Sequence, residues 1–192
     1  MNLKDLEYAP SVTLPAAQTV FRVQSTAALI GTVTIGPLLL PPVGFLAGRF
    51  DLAATDVGYF AETPETAAFE ALARREAKTL SLAVLGQRGL ICTQATLALQ
   101  LLDLRPHRPT WPVLQSQRLH VTQSLAVATV QAGFQVIVYR SAQQYGHDCY
   151  AVFGAALQGF NMVWRQPILS SSGAMHPAVI AAIRGVQIPL VP

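Results

Sequence analysis

The sequence predicts an α+β domain. β-rich segments at residues 19–23, 57–61 and 134–139 are interspersed with helix-forming stretches, without the regular strand–helix–strand alternation of a parallel-sheet protein. At 192 residues the chain suits a single domain, and 52% of it is hydrophobic against only 12% charged. That balance excludes an intrinsically disordered chain, which needs low hydrophobicity and high charge. It also excludes a long solvated coiled coil, which would be rich in Glu and Lys. The net charge of +3 comes from 13 basic and 10 acidic residues with no Lys/Arg cluster, so no direct nucleic-acid binding is expected. So few surface charges predict a surface covered by a partner, as in a homodimer or hetero-oligomer.

Residues 19–23, TVFRV, alternate and read as a strand carrying Arg22. Residues 23–48 carry no charge and are long enough to span a bilayer, and the mean hydropathy is +0.39. Gly31, Gly36, Pro37, Pro41, Pro42 and Gly44 would break such a helix repeatedly, and lipid offers no partner for the freed carbonyls. The segment is therefore read as a strand or two followed by an apolar loop over 37–48, with no membrane span. Residues 57–61, VGYFA, form a short strand with Val57, Tyr59 and Ala61 on one face. A helix start follows: Thr63 at the N-cap, Pro64 at the first helical position and Glu65 near the positive end of the dipole. The Ala-rich helix is expected to continue through Glu70 and Arg74 to Glu76 and to lie close against a sheet.

Residues 78–84 read as a strand, and residues 90–102 as either an apolar helix or a strand pair. Residues 103–112, with Pro106, Pro109 and Pro112, read as an exposed loop. A helical stretch lies within 113–132, a strong strand within 134–139 ends at Arg140 and Ser141, and another short strand covers 149–153. His176-Pro177 opens a final helix to about Arg184. The whole chain, 1–192, is read as one domain with a core at about 21–153 and an apolar C-terminal extension at 154–192. That extension would cover a partner or pack on its own core.

Cys92 and Cys149 are too few for a disulfide scaffold and are expected as reduced, buried thiols. Residues 1–8 are polar and charged rather than basic-then-apolar, which predicts no secretory signal and a cytoplasmic location. His107, His120, His147 and His176 lack ligand spacing, so no metal is expected. There is no glycine-rich phosphate loop, no HExxH and no CxxC, and no GxSxG supports a triad through Ser141.

What remains is a set of polar residues at the edges of apolar elements: Arg22, Arg49, Tyr59, Glu70 and Ser141. Taken singly, each has an ordinary explanation. Glu70 with Arg74 is an i,i+4 pair, usually solvated and worth about 0.3–0.5 kcal/mol. Tyr59 suits a core ring with its hydroxyl at the rim, and Ser141 a turn residue bonding its own backbone. Arg49 suits the surface, and Arg22 an exposed strand position.

Together, in order, they resemble the RES-domain family, named for its Arg, Glu and Ser. The specific part is Gly48-Arg49-Phe50 followed by Gly58-Tyr59-Phe60-Ala61-Glu62-Thr63-Pro64-Glu65-Thr66-Ala67 and Glu70. Phe21-Arg22-Val23 and Val138-Tyr139-Arg140-Ser141-Ala142 extend the resemblance over about 21–153. It implies an ADP-ribosyltransferase-like fold, small mixed β-sheets flanked by helices, and a toxin of a bacterial toxin–antitoxin pair. It further implies that NAD is consumed, as substrate, at the nicotinamide–ribose bond, and that the partner is a helical, DNA-binding, Xre-like antitoxin.

Those implications match the residue types. Cleaving an N-glycosidic bond builds an oxocarbenium-like charge, which a fixed carboxylate, Glu70, would stabilise in a dry site. Arg22 and Arg49 would supply guanidinium forks for the pyrophosphate. Tyr59 would offer a face to the nicotinamide ring, and Ser141 a hydrogen bond to its amide or to a ribose hydroxyl. Neutral nicotinamide leaves a cationic ring readily, so no general acid is required. Asp51, and Gly146-His147-Asp148 in place of a Gly with Asn, depart from the family pattern and bear on the pocket wall. The acceptor of the ADP-ribosyl group, whether water, phosphate or a protein, is left open. A non-catalytic partner-binding module on the same fold is the alternative of another class. It is disfavoured by the cost of burying Arg49 and Glu70 without a task.

Overall fold

The computed structural model describes residues 10–73, 78–107 and 119–192. The chain opens with strands β1 (Ser11–Leu14) and β2 (Thr19–Ser25), then a small hairpin of β3 (Val33–Ile35) and β4 (Leu38–Leu40). After an irregular loop come β5 (Val57–Ala61) and helix α1 (Pro64–Ala71). A two-residue strand β6 (Leu80–Ser81) runs into the short helix α2 (Leu82–Gly86), and β7 (Arg88–Ala95) and β8 (Leu99–Asp103) follow. Helix α3 (Leu119–Gln131) leads to β9 (Val136–Arg140) and β10 (Asp148–Phe153). The chain closes with β11 (Phe160–Pro167), α4 (Pro177–Val186) and β12 (Leu190–Val191).

Eight strands form one sheet in the order β1-β8-β9-β10-β5-β2-β7-β11. Every neighbouring pair is antiparallel except β8–β9. The architecture is the α+β arrangement expected from the sequence. The join between β5 and β2 is narrow. It consists of the single register pair Phe21↔Ala61, whereas β5 pairs along its whole length with β10, and β2 with β7. The sheet is thus two halves hinged at one pair, and the backbone beyond it needs other partners.

Strand alternation sends side chains into two cores. On one face Val23, Ile137, Cys149, Ala151 and Phe153 pack under α1, α3 and α4 through Ala67, Ala68, Leu125, Ala126, Val179 and Ala182. On the other, Val20, Phe60, Ile91, Val136 and Val152 pack under the β3–β4 hairpin through Leu38 and Leu40. Helix α1 starts as its sequence dictates. Thr63 Oγ1 accepts from the Thr66 N–H at 3.1 Å, and Pro64 occupies the first turn. The helix ends at Ala71, not Glu76; Arg74, and with it the Glu70–Arg74 pair, lies outside the described residues.

Several expectations are corrected. Residues 78–84 are not one strand: only Leu80–Ser81 is extended, pairing with β12, and Leu82–Gly86 is helical. Five apolar-rich residues fit a helical turn as well as a strand, and the available edge is two residues long. The loop expected over 37–48 contains β4, whose Leu38 and Leu40 are buried. Residues 90–102 resolve into parts of two strands, β7 and β8, which belong to different halves of the sheet. Asp103 and Leu104, expected in an exposed loop, are buried, and Pro109 and Pro112 lie outside the described residues. In the C-terminal segment β11 extends the sheet edge and α4 packs on α1. At Gly185 a Cβ would stand 2.8 Å from the tip of the Phe69 ring, so any larger residue there must displace that ring. Among the described residues no helix is long and apolar enough to cross a membrane.

Candidate functional site

The site is built where the last turn of α1 meets the segment after β9. Glu70 points from α1 at the first residues beyond Arg140. Its Oε1 accepts the Ser141 hydroxyl at 2.5 Å, the Ala142 N–H at 3.0 Å and the Gln143 N–H at 3.3 Å. Such charge-assisted donors fix a carboxylate in orientation as well as position. Its Oε2 faces Arg49, whose Nη2 donates at 3.4 Å. The pair is mostly buried and partly open to solvent, with side-chain exposures of 15% for Arg49 and 23% for Glu70.

Ser141 is fully buried and its hydroxyl is committed. It donates to Glu70 and accepts from the N–H groups of Gln143 and Gln144, at 3.1 and 2.9 Å. It closes a turn as a serine there commonly does, and in doing so holds Glu70. In this arrangement the hydroxyl hydrogen is directed at the carboxylate.

Arg49 is delivered by a loop that its neighbours lock. The Gly48 N–H donates to Asp51 Oδ2 at 2.6 Å, and the Tyr59 hydroxyl donates to Asp51 Oδ1 and accepts from the Phe50 N–H, both at 2.8 Å. A Cβ at Gly48 would collide with the Tyr59 hydroxyl and lie 2.5 Å from Asp51 Oδ1. Gln123 on α3 adds two bonds from Nε2, to the carbonyls of Leu46 and Gly48, each at 3.0 Å. Leu46 takes a left-handed φ of 52°, which costs a leucine energy and is held by those bonds. The Arg49 guanidinium lies 4.7 Å from the centre of the Tyr139 ring. Burial alone would lower its pKa. The surrounding groups, Tyr139 and Glu70 foremost, outweigh burial and raise it.

Burial pushes the Tyr59 and Tyr139 hydroxyls well above the usual tyrosine range, and the Asp51 carboxylate adds to the rise at Tyr59. Tyr59 is therefore a protonated donor aimed at Asp51. Burial likewise pushes the Cys149 thiol, beside Tyr139 in the sheet, well above its ordinary value, with the Glu70 carboxylate adding to it.

Arg22 sits differently. Alternation along β2 places it with Val20 and Gln24, opposite Phe21 and Val23. Its guanidinium occupies the opening where β2 and β5 part, donating to the carbonyls of Tyr59 at 3.0 Å and Leu39 at 3.4 Å. Its Nε is buried without a hydrogen-bond partner, and burial lowers its pKa to about 10. Glu70, Arg49 and Ser141 thus touch directly and Tyr59 shapes the adjoining loop, while Arg22 reaches that group through the backbone of β5.

Other supports were not legible in the sequence. Thr66 Oγ1 donates to Gln144 Oε1 at 2.7 Å, and His147 Nδ1 bonds Glu62 Oε1 at 2.8 Å. On the opposite face of β9 and β10, Asp148 binds Arg140 at 2.5 Å and Arg105 at 2.9 Å, and Arg105 also grips Asp103 at 2.8 Å. Gln123 carries no local signal, whereas Asp51 and Asp148 stand where the sequence departs from the family pattern. A small surface depression is lined by residues 41–46, Asp51, Leu52, Thr55, Asp56 and Val57, and shares Leu46 and Asp51 with the loop that carries Arg49. No group of three or more potential metal ligands occurs among the described residues.

No curated protein matches the chain in sequence. Its fold is similar to a chain in the crystal structure of the M. tuberculosis MbcT–MbcA toxin–antitoxin complex, with a TM-score of 0.64 at 14% identity. The superposition covers 85% of this chain and 90% of that one. The RES domain profile matches residues 19–170, from the first residue of β2 to just beyond β11, so the chain belongs to the RES-domain family.

Proposed function

We propose that this chain is the toxin of a toxin–antitoxin pair and cleaves NAD between nicotinamide and ribose. The observation that carries the reading is Glu70. One carboxylate oxygen is fixed by three donors of a single turn, and the other is directed toward a partly open arginine. A carboxylate held this way keeps its place and orientation as positive charge grows on a nearby sugar, with no reorganisation at the moment of reaction. The bond from ribose C1′ to the pyridine nitrogen breaks, and its electron pair leaves on neutral nicotinamide. Water or phosphate then adds to C1′. With water the products are ADP-ribose and a proton released to solvent; with phosphate the product is ADP-ribose 1″-phosphate.

The residues suit the substrate. Arg49 is a mostly buried guanidinium, 15% exposed, proposed to take a phosphate oxygen, and its charge lies over the Tyr139 ring. Arg22 is a buried cation with an unmet Nε and a pKa lowered by burial, a condition that an anion nearby would relieve. Tyr59 and Ser141 act in this reading by holding Arg49 and Glu70 in place. The likeness to a chain of a toxin–antitoxin complex supports a protein antitoxin, for which a helical, Xre-like protein is the proposed class.

The test incubates the purified chain with NAD, with and without phosphate, and follows free nicotinamide and the ribosylated product. Nicotinamide release with ADP-ribose or its phosphate supports the reading. Transfer to protein would move the acceptor assignment, and no release would leave a binding module.

A further inference from the structure

We infer that Thr66 and Gln144 form a positioning pair that sets the Glu70 carboxylate, a role that rests on the proposed NAD cleavage. Thr66 and Glu70 are four apart on α1 and so share one side of it, while Glu62 stands in the link between β5 and the helix, just before the Thr63 cap. Each bonds a different part of the link between β9 and β10: Glu70 to Ser141, Ala142 and Gln143, Thr66 to Gln144, and Glu62 to His147. The donors that orient Glu70 therefore belong to a turn whose place is fixed by one bond further up the same helix, from Thr66, and by one from Glu62 just before it.

Thr66 is the more stringent of those bonds. It is fully buried, and its hydroxyl lies 2.7 Å from both the Thr63 hydroxyl and Gln144 Oε1. Because Thr66 donates to Gln144, the Thr63 hydroxyl must donate to Thr66, so the helix cap and the turn share one chain of hydrogen bonds. Without the Thr66 hydroxyl the Gln144 oxygen loses its partner and the turn is free to shift along α1. Glu70 Oε1 follows the turn, and Oε2 then leaves its place opposite Arg49. Thr66 has no exposed atom to offer a substrate, so its loss acts on geometry alone, where displacements of about 1 Å cost up to about a hundredfold in rate.

The experiment measures steady-state NAD cleavage by Thr66→Val, Thr66→Ser, Gln144→Met and the Thr66→Val/Gln144→Met double variant, beside wild type. The expected result is a kcat lowered about tenfold in both Thr66→Val and Gln144→Met, with KM for NAD within about twofold of wild type. Thr66→Ser, which keeps the hydroxyl, recovers most of the rate, and the double variant is no slower than either single one. A purely stabilising role would lower the melting temperature of Thr66→Val without separating kcat from KM. If Thr66→Val fails to fold, the partly exposed Gln144→Met decides alone. Wild-type kcat in Gln144→Met, multiplicative losses in the double variant, or a change in KM alone overturns the positioning role while leaving NAD cleavage standing. A wild-type chain that releases no nicotinamide overturns the functional reading, and this role with it.

Discussion

The Ser141 hydroxyl donates to Glu70 Oε1 at 2.5 Å, joining a turn and a helix that lie 71 positions apart in the chain. The serine is buried and makes this bond while accepting two N–H groups of its own turn. Replacing it with alanine leaves those N–H groups and the carboxylate oxygen short of a partner. Ser141→Ala is predicted to lower stability by about 1–3 kcal/mol and to reduce kcat far more than it raises KM for NAD. Urea unfolding and NAD kinetics on the same preparation check this; a raised KM with unchanged kcat would instead place Ser141 on the substrate.

Arg49 combines a cation–π contact with the Tyr139 ring and a bond to Glu70, a pairing that the compact ammonium of a lysine does not reproduce. Arg49→Lys is predicted to weaken NAD binding by roughly 10–100-fold, the loss of one charged hydrogen bond of about 1.5–3 kcal/mol. Titration of NAD into an inactive Glu70→Gln background measures it without turnover. Unchanged affinity would remove Arg49 from the binding role.

Gly48 is required by space. Its missing Cβ is where the Tyr59 hydroxyl lies, and Asp51 closes the other side. Gly48→Ala must push the Tyr59–Asp51 pair aside and is predicted to cost about 1–3 kcal/mol of stability, with NAD affinity falling as the Arg49 loop shifts. Thermal unfolding and NAD binding test both halves.

Asp103 gives the fold an acid limit. Burial alone would raise its pKa, but hydrogen bonds from the Arg105 side chain and backbone outweigh burial and lower it from 3.8. A carboxyl lowered on folding stabilises fully above its unfolded value, and that contribution fades as pH falls through 3.8 toward the native value. Asp103→Asn is predicted to be less stable than wild type at pH 7, by roughly 1–3 kcal/mol, with the gap narrowing below about pH 4. Urea unfolding at pH 7 and at pH 3 measures the gap; a constant difference would show that Asp103 acts by packing.

What the sequence made legible is local. Thr63 and Pro64 announced the start of α1, and the pattern of residues 57–61 gave β5 its bounds, because a cap and a short alternating run are signalled by adjacent residues. Strand β7 was ambiguous because it is buried on nearly every residue, and an apolar run without alternation fits helix and strand alike. Strand β11 went unread because it is an exposed edge, interrupted by a bulge between Met162 and Trp164, and its pairing with β7 is distant in sequence. The motif marked Arg22 as part of the set but could not say that its guanidinium lies where two strands separate. Gln123 and Gln144 reach partners more than seventy positions away, so no pattern near either residue points to its task.

Helix propensity alone would make Glu70→Ala a mild change, yet Glu70 satisfies three donors of the neighbouring turn, so alanine would disturb the fold along with the chemistry. Glu70→Gln keeps an oxygen to accept from those donors while removing the charge, and it puts an amide donor where Oε2 accepts from Arg49. The most direct measurement is nicotinamide release from saturating NAD by wild type and Glu70→Gln, matched for folded protein. Turnover by wild type with a loss of at least about a hundredfold in the variant is the predicted result. Equal rates in the two proteins would contradict the account, because the carboxylate charge would then have no part in steadying the ribose cation as nicotinamide departs.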